Sequence, residues 1–160
     1  MAKQHLPELT FDIYGEGGQR QLLEELIAKH QASDYIKLKG HHDLEQIYVQ
    51  YEAYVTASTS EGFGLTLMEA VGSGLAMIGL DVRYGNQTFI EPGQNGYLLE
   101  YTGKKDQKQT IDRLAKAIVE LFTNVDLAKA HQASYALAQE YLTSEVEQKW
   151  HQLLGGMTNA

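Results

Sequence analysis

Two glutamates bracket a glycine-rich stretch in the middle of the chain, Glu61-Gly62-Phe63-Gly64-Leu65-Thr66-Leu67-Met68-Glu69-Ala70, which follows Ser58-Thr59-Ser60. Glycine lets a backbone approach a ligand closely and take turns closed to other residues. A helix is expected from about Leu65 to Val71, so the amides from Gly62 to Thr66 fall at a helix N-terminus, where N–H groups favour phosphate or hydroxyl oxygens. The flanking carboxylates are acceptors suited to sugar and ribose hydroxyl donors. A ligand with hydroxyls at both ends and a phosphate between them fits this pattern, and a nucleotide diphosphate sugar has that shape. A plainer role competes. Thr66-x-x-Glu69 matches a capping box, and Ser58-x-x-Glu61 is formally another. Capping accounts for Thr66 and Glu69 but leaves Glu61 unexplained, which makes Glu61 the stronger functional candidate.

Other candidates carry less chemistry. Gly15-Glu16-Gly17 follows a strand and precedes a helix, but the third glycine of G-x-G-x-x-G would fall at Arg20. Asp34 precedes its strand rather than ending it, so a tight βα turn is the plain reading, with a nucleotide contact at Gly15 the alternative. His41-His42 lacks the cysteines and helical His spacing of a zinc site, and no metal is expected. Arg83 follows a strand end, where it suits either a phosphate or a surface salt bridge. Trp150 reads as packing on an amphipathic last helix.

The elements that must hold these residues alternate. Leu9–Tyr14 reads as a strand, ending at the turn Gly15–Gly18. Leu22, Leu23, Leu26 and Ile27 recur at helical spacing. Strands follow at Tyr35–Lys39 and Ala53–Ala57, with a short helix expected between them on Leu44, Ile47, Tyr48 and Tyr51. The buried-looking strand Ala76–Leu80, a brief helix near Gln87–Ile90 and a last strand, Tyr97–Leu99, complete the series. Such alternation predicts an α/β fold, a Rossmann-like doubly wound parallel sheet, with ligands beyond the carboxyl ends of its strands. Beyond Lys104 three apolar stripes mark a helical C-terminal tail: Ile111 to Phe122, Leu127 to Tyr141, and Val146, Trp150, Leu153 and Leu154.

The 160 residues suffice for one domain, 43% of them hydrophobic, with no apolar run long enough to span a bilayer and no signal-peptide pattern at the start. A cytoplasmic location is the expectation, with the inner face of the membrane as a peripheral variant. The absence of cysteine removes disulfides and thiol chemistry. A net charge of −8 argues against a nucleic acid polymer as partner.

The central segment resembles the retaining glycosyltransferases of GT-B architecture, family 4, whose mark is two glutamates with seven residues between them within E-G-F-G-L-x-L-x-E-A, followed by small residues and an apolar strand. Here Gly72, Gly74 and Met77-Ile78 take those later places. The likeness covers about the first 100 residues, through the Asn95-Gly96-Tyr97-Leu98 turn. It implies the C-terminal, nucleotide-sugar-binding half of a GT-B fold, residues 1–160, acting without a metal cofactor on a UDP-sugar. It implies that Glu61 approaches the donor sugar or reaction centre, and that amides of Gly62, Phe63, Gly64 and Leu65 meet sugar hydroxyls. Thr66 would meet the diphosphate and Glu69 the ribose, with Lys39-Gly40-His41 holding the base largely by backbone. Ala76 stands where the family usually has proline, and Thr88 where an acidic residue is usual.

Family members also place an Arg and a Lys near the diphosphate, upstream of the Gly15 strand. By the resemblance, those cations and an N-terminal acceptor domain lie outside this chain, which then reads as a C-terminal fragment inactive alone. Leu80-Asp81-Val82-Arg83-Tyr84-Gly85-Asn86, with Gly93-x-Asn95-Gly96-Tyr97-Leu98, is similar to the accessory-secretion glycosyltransferases of Gram-positive bacteria. That likeness implies transfer of N-acetylglucosamine from UDP to serine or threonine of a serine-rich protein, with an accessory glycosyltransferase subunit as a further partner. Poly(glycerol phosphate) α-glucosyltransferases of teichoic acid synthesis share the Tyr-Gly signature and are the alternative. A non-catalytic Rossmann-like binding module, or a sugar-phosphate epimerase or synthase of the same architecture, are the readings from other classes.

Overall fold

Strands and helices alternate through most of the chain because apolar residues switch repeatedly between the strand and helix periods. The computed structural model describes residues 1–157 and divides the chain into two units, Met1–Ile47 and Tyr48–Ala160.

The first unit contains α1 (Ala2–His5), β1 (Phe11–Tyr14), α2 (Arg20–Lys29) and β2 (Ile36–Gly40). β1 and β2 pair in parallel from Phe11↔Ile36 to Tyr14↔Gly40, with a register irregularity between Ile13 and Tyr14. All four residues of β1 are half-buried and α2 buries none of its residues fully. Leu23 and Ile27 of the expected stripe are half-buried, while Leu22 and Leu26 are exposed. Arg20 ties the start of α2 to Glu16 and Glu24, both at 3.0 Å.

The second unit holds β3 (Ala53–Val55), α3 (Leu65–Gly72), β4 (Ala76–Leu80), α4 (Gly85–Phe89) and β5 (Gly96–Leu99). After these come α5 (Gln107–Asn124), α6 (Leu127–Gln139) and α7 (Thr143–Met157). Its parallel sheet runs in the order β3-β4-β5. β4 is buried along its whole length, as expected of a parallel strand covered on both faces. Ala76 and Ile78 pack with Ala117 and Leu121 of α5 and Ala130 of α6. Side chains alternate along a strand, and on the other face of β4 a Cβ at Gly79 would meet Ile90 at 2.6 Å. Leu67, Ala70 and Val71 of α3 join the core. Asp126 caps α6 by accepting from the Lys129 amide, and Ser134 donates to the Leu75 carbonyl at 2.7 Å.

The Rossmann-like parallel α/β class and the helical tail agree with the sequence pattern, but two local expectations do not. The segment around Leu44 to Tyr51 forms only a 3-10 turn, Tyr48–Gln50. So few residues seldom sustain a helix by themselves, and the Tyr48 phenol is engaged elsewhere. The Val146, Trp150, Leu153 and Leu154 stripe of α7 remains exposed, with Trp150 at 57%. Trp150 is therefore not a core residue of the described chain.

The two departures from the family pattern are accommodated locally. The Ala76 amide donates to the Glu52 carbonyl at 3.1 Å, a bond that proline could not make. The Thr88 hydroxyl donates to the Tyr84 carbonyl at 3.0 Å, within the same turn of chain.

Candidate functional site

The glycine-rich loop leaves the carboxyl end of β3 and enters α3, the position where parallel α/β sheets place ligands. Gly64 is the N-cap of α3 at φ +83°, a left-handed conformation that glycine takes without a Cβ penalty. A Cβ there would also meet Leu67 Cδ1 at 2.6 Å and Glu61 Cγ at 3.1 Å. Gly62 differs: a Cβ on it would meet nothing within 4 Å, so its backbone faces open space. The Leu67 and Met68 amides bond the Gly64 carbonyl. Among the described residues, the amides of Gly62, Phe63, Gly64, Leu65 and Thr66 have no protein acceptor. They are five donors at a helix start, available to phosphate or hydroxyl oxygen.

The capping-box expectation is corrected here. Gly64, not a side chain, begins the helix, and α3 has no side-chain cap. Thr66 lies inside the first turn, and its hydroxyl oxygen accepts from the Tyr54 phenol at 3.0 Å. Glu69 Oε2 accepts from the Tyr48 phenol at 3.0 Å. Glu69 is thus freed from capping and fixed by a phenol, with its other oxygen left to accept from a ligand.

Tyr48 and Tyr54 are the residues that sequence reasoning missed. Burial first, then its bond to Glu69, holds the Tyr48 phenol well above the ordinary tyrosine range. Tyr54 is also raised: burial leads, its bond to Thr66 opposes, and the carboxylates of Glu61 and Glu69 both add to the rise. Both phenols therefore remain donors at neutral pH. Tyr54 had a weak sequence signal, standing on the strand that feeds the loop. Tyr48 had none, being 21 residues from Glu69.

Glu61 is held through its backbone. Its amide donates to the Arg83 carbonyl at 3.1 Å, and its carbonyl accepts from the amides of Tyr84 and of Gly85, the latter at 3.2 Å. Phe63 packs its ring edge-on against buried Phe89, centroids 5.3 Å apart, while staying half exposed itself. Arg83 is exposed. Beyond the carboxyl ends of the sheet lies a cavity of ≈ 330 Å³, lined by Ala57, Thr59, Leu80, Tyr101 and Lys104 among others.

The remaining candidates lie in the first unit. The Gly15 amide donates to the Gly40 carbonyl at 2.8 Å, so the structure brings these two glycines together at the ends of β1 and β2. Both have positive φ, +126° and +79°, which accounts for the glycines as turn residues. A cavity of ≈ 260 Å³ lies beside the turn, lined by Tyr14, Gly15, Arg20 and Leu38 among others. Lys39 pairs with Asp12 at 3.3 Å. His42, not His41, reaches the Lys39 carbonyl, at 2.9 Å, and stacks edge-on with Tyr14. His41 is exposed.

Comparison with known proteins supplies the rest. Residues 1–131 match the family model of glycosyl transferases group 1. The UDP-N-acetylglucosamine–peptide N-acetylglucosaminyltransferase GtfA subunit of Limosilactobacillus reuteri is 55% identical over 159 residues, covering 99% of this chain and 31% of that protein. The crystal structure of the pneumococcal O-GlcNAc transferase GtfA in complex with UDP and GlcNAc superposes with a TM-score of 0.90 at 54% identity, over 99% of this chain and 31% of the other. A crystal structure of the GtfA/B complex gives a TM-score of 0.92 at 54% identity, with 99% and 32% covered. The chain thus spans about a third of the length of the relatives it matches. With the family model matched over most of its length, this chain belongs to the group 1 glycosyl transferases.

Proposed function

We propose that this chain is the UDP-sugar-binding domain of a retaining glycosyltransferase of family 4, one that transfers N-acetylglucosamine from UDP-N-acetylglucosamine to serine or threonine of a serine-rich protein. The observation that carries this reading is the Glu61–Glu69 loop, with five unpaired amides between a glutamate whose main chain is held by backbone bonds and one whose carboxylate is held by the Tyr48 phenol. Glu61 acts at the sugar or reaction centre. The amides of Gly62 to Leu65 hold sugar hydroxyls, Thr66 lies at the diphosphate and Glu69 takes the ribose.

The Limosilactobacillus relative is a peptide N-acetylglucosaminyltransferase subunit, which favours a protein acceptor over poly(glycerol phosphate). The complete enzyme acts with an acceptor domain and an accessory subunit, and needs no metal: charge developing on the departing diphosphate is met by preorganised amides and by cations supplied from outside this chain. The isolated chain binds UDP weakly and transfers nothing. Titration with UDP and UDP-N-acetylglucosamine tests the site, with chemical-shift changes expected at Gly62–Glu69. In the complete enzyme Glu61→Ala should lower kcat and Glu69→Ala should mainly weaken the donor. Silent loop resonances together with unchanged kinetics in both variants would overturn the assignment, and peptide glycosylation by the isolated chain would overturn its dependence on other domains.

A further inference from the structure

Glu61 is fastened by the segment that enters α4, and the tightest point of that fastening is a glycine. A Cβ built on Gly85 would lie 2.2 Å from the Phe63 carbonyl oxygen, 2.8 Å from the Phe63 carbonyl carbon and 2.9 Å from Glu61 Cγ. Two of these three atoms belong to the loop backbone, so a methyl group there cannot be absorbed by turning one flexible side chain. The third belongs to the carboxylate side chain itself. Gly85 also donates its amide to the Glu61 carbonyl at 3.2 Å, beside the Tyr84 amide, while the Arg83 carbonyl accepts from the Glu61 amide.

The clasp is itself anchored. Fully buried Asn86 donates from Nδ2 to the Leu80 carbonyl at 2.8 Å, and Gln87 donates to Asp81 at 2.6 Å. These bonds hold the start of α4 against the carboxyl end of β4. The Phe63 ring rests on Phe89 one turn further along α4. Together these contacts tie the loop carrying Glu61 to α4 at both its backbone and its aromatic ring.

We propose that Gly85 is a positioning residue for Glu61: the space left by its missing side chain, with its amide bond, sets where the Glu61 carboxylate stands. In this role Gly85 acts through the loop, by its contacts with Phe63 and Glu61. The inference rests on the role given to Glu61 above, and the experiment separates the two.

The test compares Gly85→Ala, Glu61→Ala and the double variant in the complete polypeptide that carries this chain, with Gly72→Ala as a control because a Cβ at Gly72 meets nothing within 4 Å. Misplacing a reacting group by about 1 Å can cost roughly a hundredfold in rate. Gly85→Ala should therefore lower kcat by about ten- to a hundredfold, with donor KM nearly unchanged and UDP binding retained. In the Glu61→Ala background the same substitution should cost several-fold less, because the carboxylate it displaces is gone while the Phe63 backbone remains.

Unchanged kcat in Gly85→Ala, or an undiminished loss in the Glu61→Ala background, overturns the positioning role. If Glu61→Ala itself leaves kcat unchanged, the site reading fails instead. Should Gly85→Ala not fold, Asn86→Ser releases the anchor without adding volume against Phe63. A smaller kcat loss, again diminished in the Glu61→Ala background, supports the clasp, and full activity overturns it.

Discussion

The two units follow the same plan, parallel strands joined through a helix, yet they hold their ends differently. In the second unit β4 is wholly buried, and of the two glutamates after β3 one is held by the Tyr48 phenol and the other by backbone bonds to Arg83–Gly85. In the first unit β1 is half-buried throughout, α2 has no buried residue, and a Cβ at Gly15 would meet nothing within 4 Å. A packed core over-determines the loops that leave it, whereas a thin one fixes little beyond the backbone hydrogen bonds. Side-chain chemistry that needs fixed carboxylates accordingly sits on the second unit. The first offers turns and main-chain groups.

The contrast should be plainest in hydrogen exchange. Amides of β4 are expected to exchange about a thousandfold more slowly than those of β1, since local opening ranges from near zero to the full stability. Equal protection in the two sheets would break the comparison. Core truncation comes next. Ile78→Ala, at a fully buried site, should cost about 3 kcal/mol, and Leu26→Ala, at an exposed one, less than about 1 kcal/mol. Urea titration measures both, and similar costs would mean that the first unit is packed as firmly as the second.

A smaller effect separates side-chain from backbone recognition. Tyr48→Phe removes the donor that orients Glu69 and should weaken UDP binding about tenfold, near 1.4 kcal/mol. Lys39→Ala breaks only a partly exposed pair with Asp12 and should change affinity by less than about threefold. Calorimetry would show the reverse order if the first unit binds through the lysine side chain.

The smallest expected effect is on alkaline stability. Burial, followed by Glu69, raises the folded pKa of Tyr48 above its unfolded value. Its contribution is therefore complete below about pH 10 and is lost as pH rises from there towards the folded pKa. Tyr48→Phe should flatten the decline in stability above about pH 10. Identical slopes in the two proteins would mean that Tyr48 titrates as freely in the folded chain as in the unfolded one.

Much of this was legible beforehand because it is local. The apolar run Ala76–Leu80 reads as a buried strand, and it is one. Leu65–Val71 reads as a helix, and the observed helix ends one residue later. Thr66-x-x-Glu69 misled because the same spacing that suits a capping box also places both residues on one side of a first turn. The glycine before the helix took the capping position, and two tyrosines took the side chains. The stripe on Leu44 to Tyr51 misled because apolar spacing over so short a segment does not distinguish a helix from a single turn.

What the sequence determined by itself is the parallel α/β alternation and the placing of a glycine-rich, doubly acidic loop between a strand and a helix. Hydrophobic period and glycine's freedom are properties of neighbouring residues, so a linear reading captures them. Only the tertiary structure decided which groups steady the two glutamates: Tyr48 the carboxylate of Glu69 and the Arg83–Gly85 segment the main chain of Glu61. Those partners lie about twenty residues away along the chain in opposite directions. They meet the loop because sheet pairing and helix packing bring distant backbone together, and no local pattern encodes that encounter.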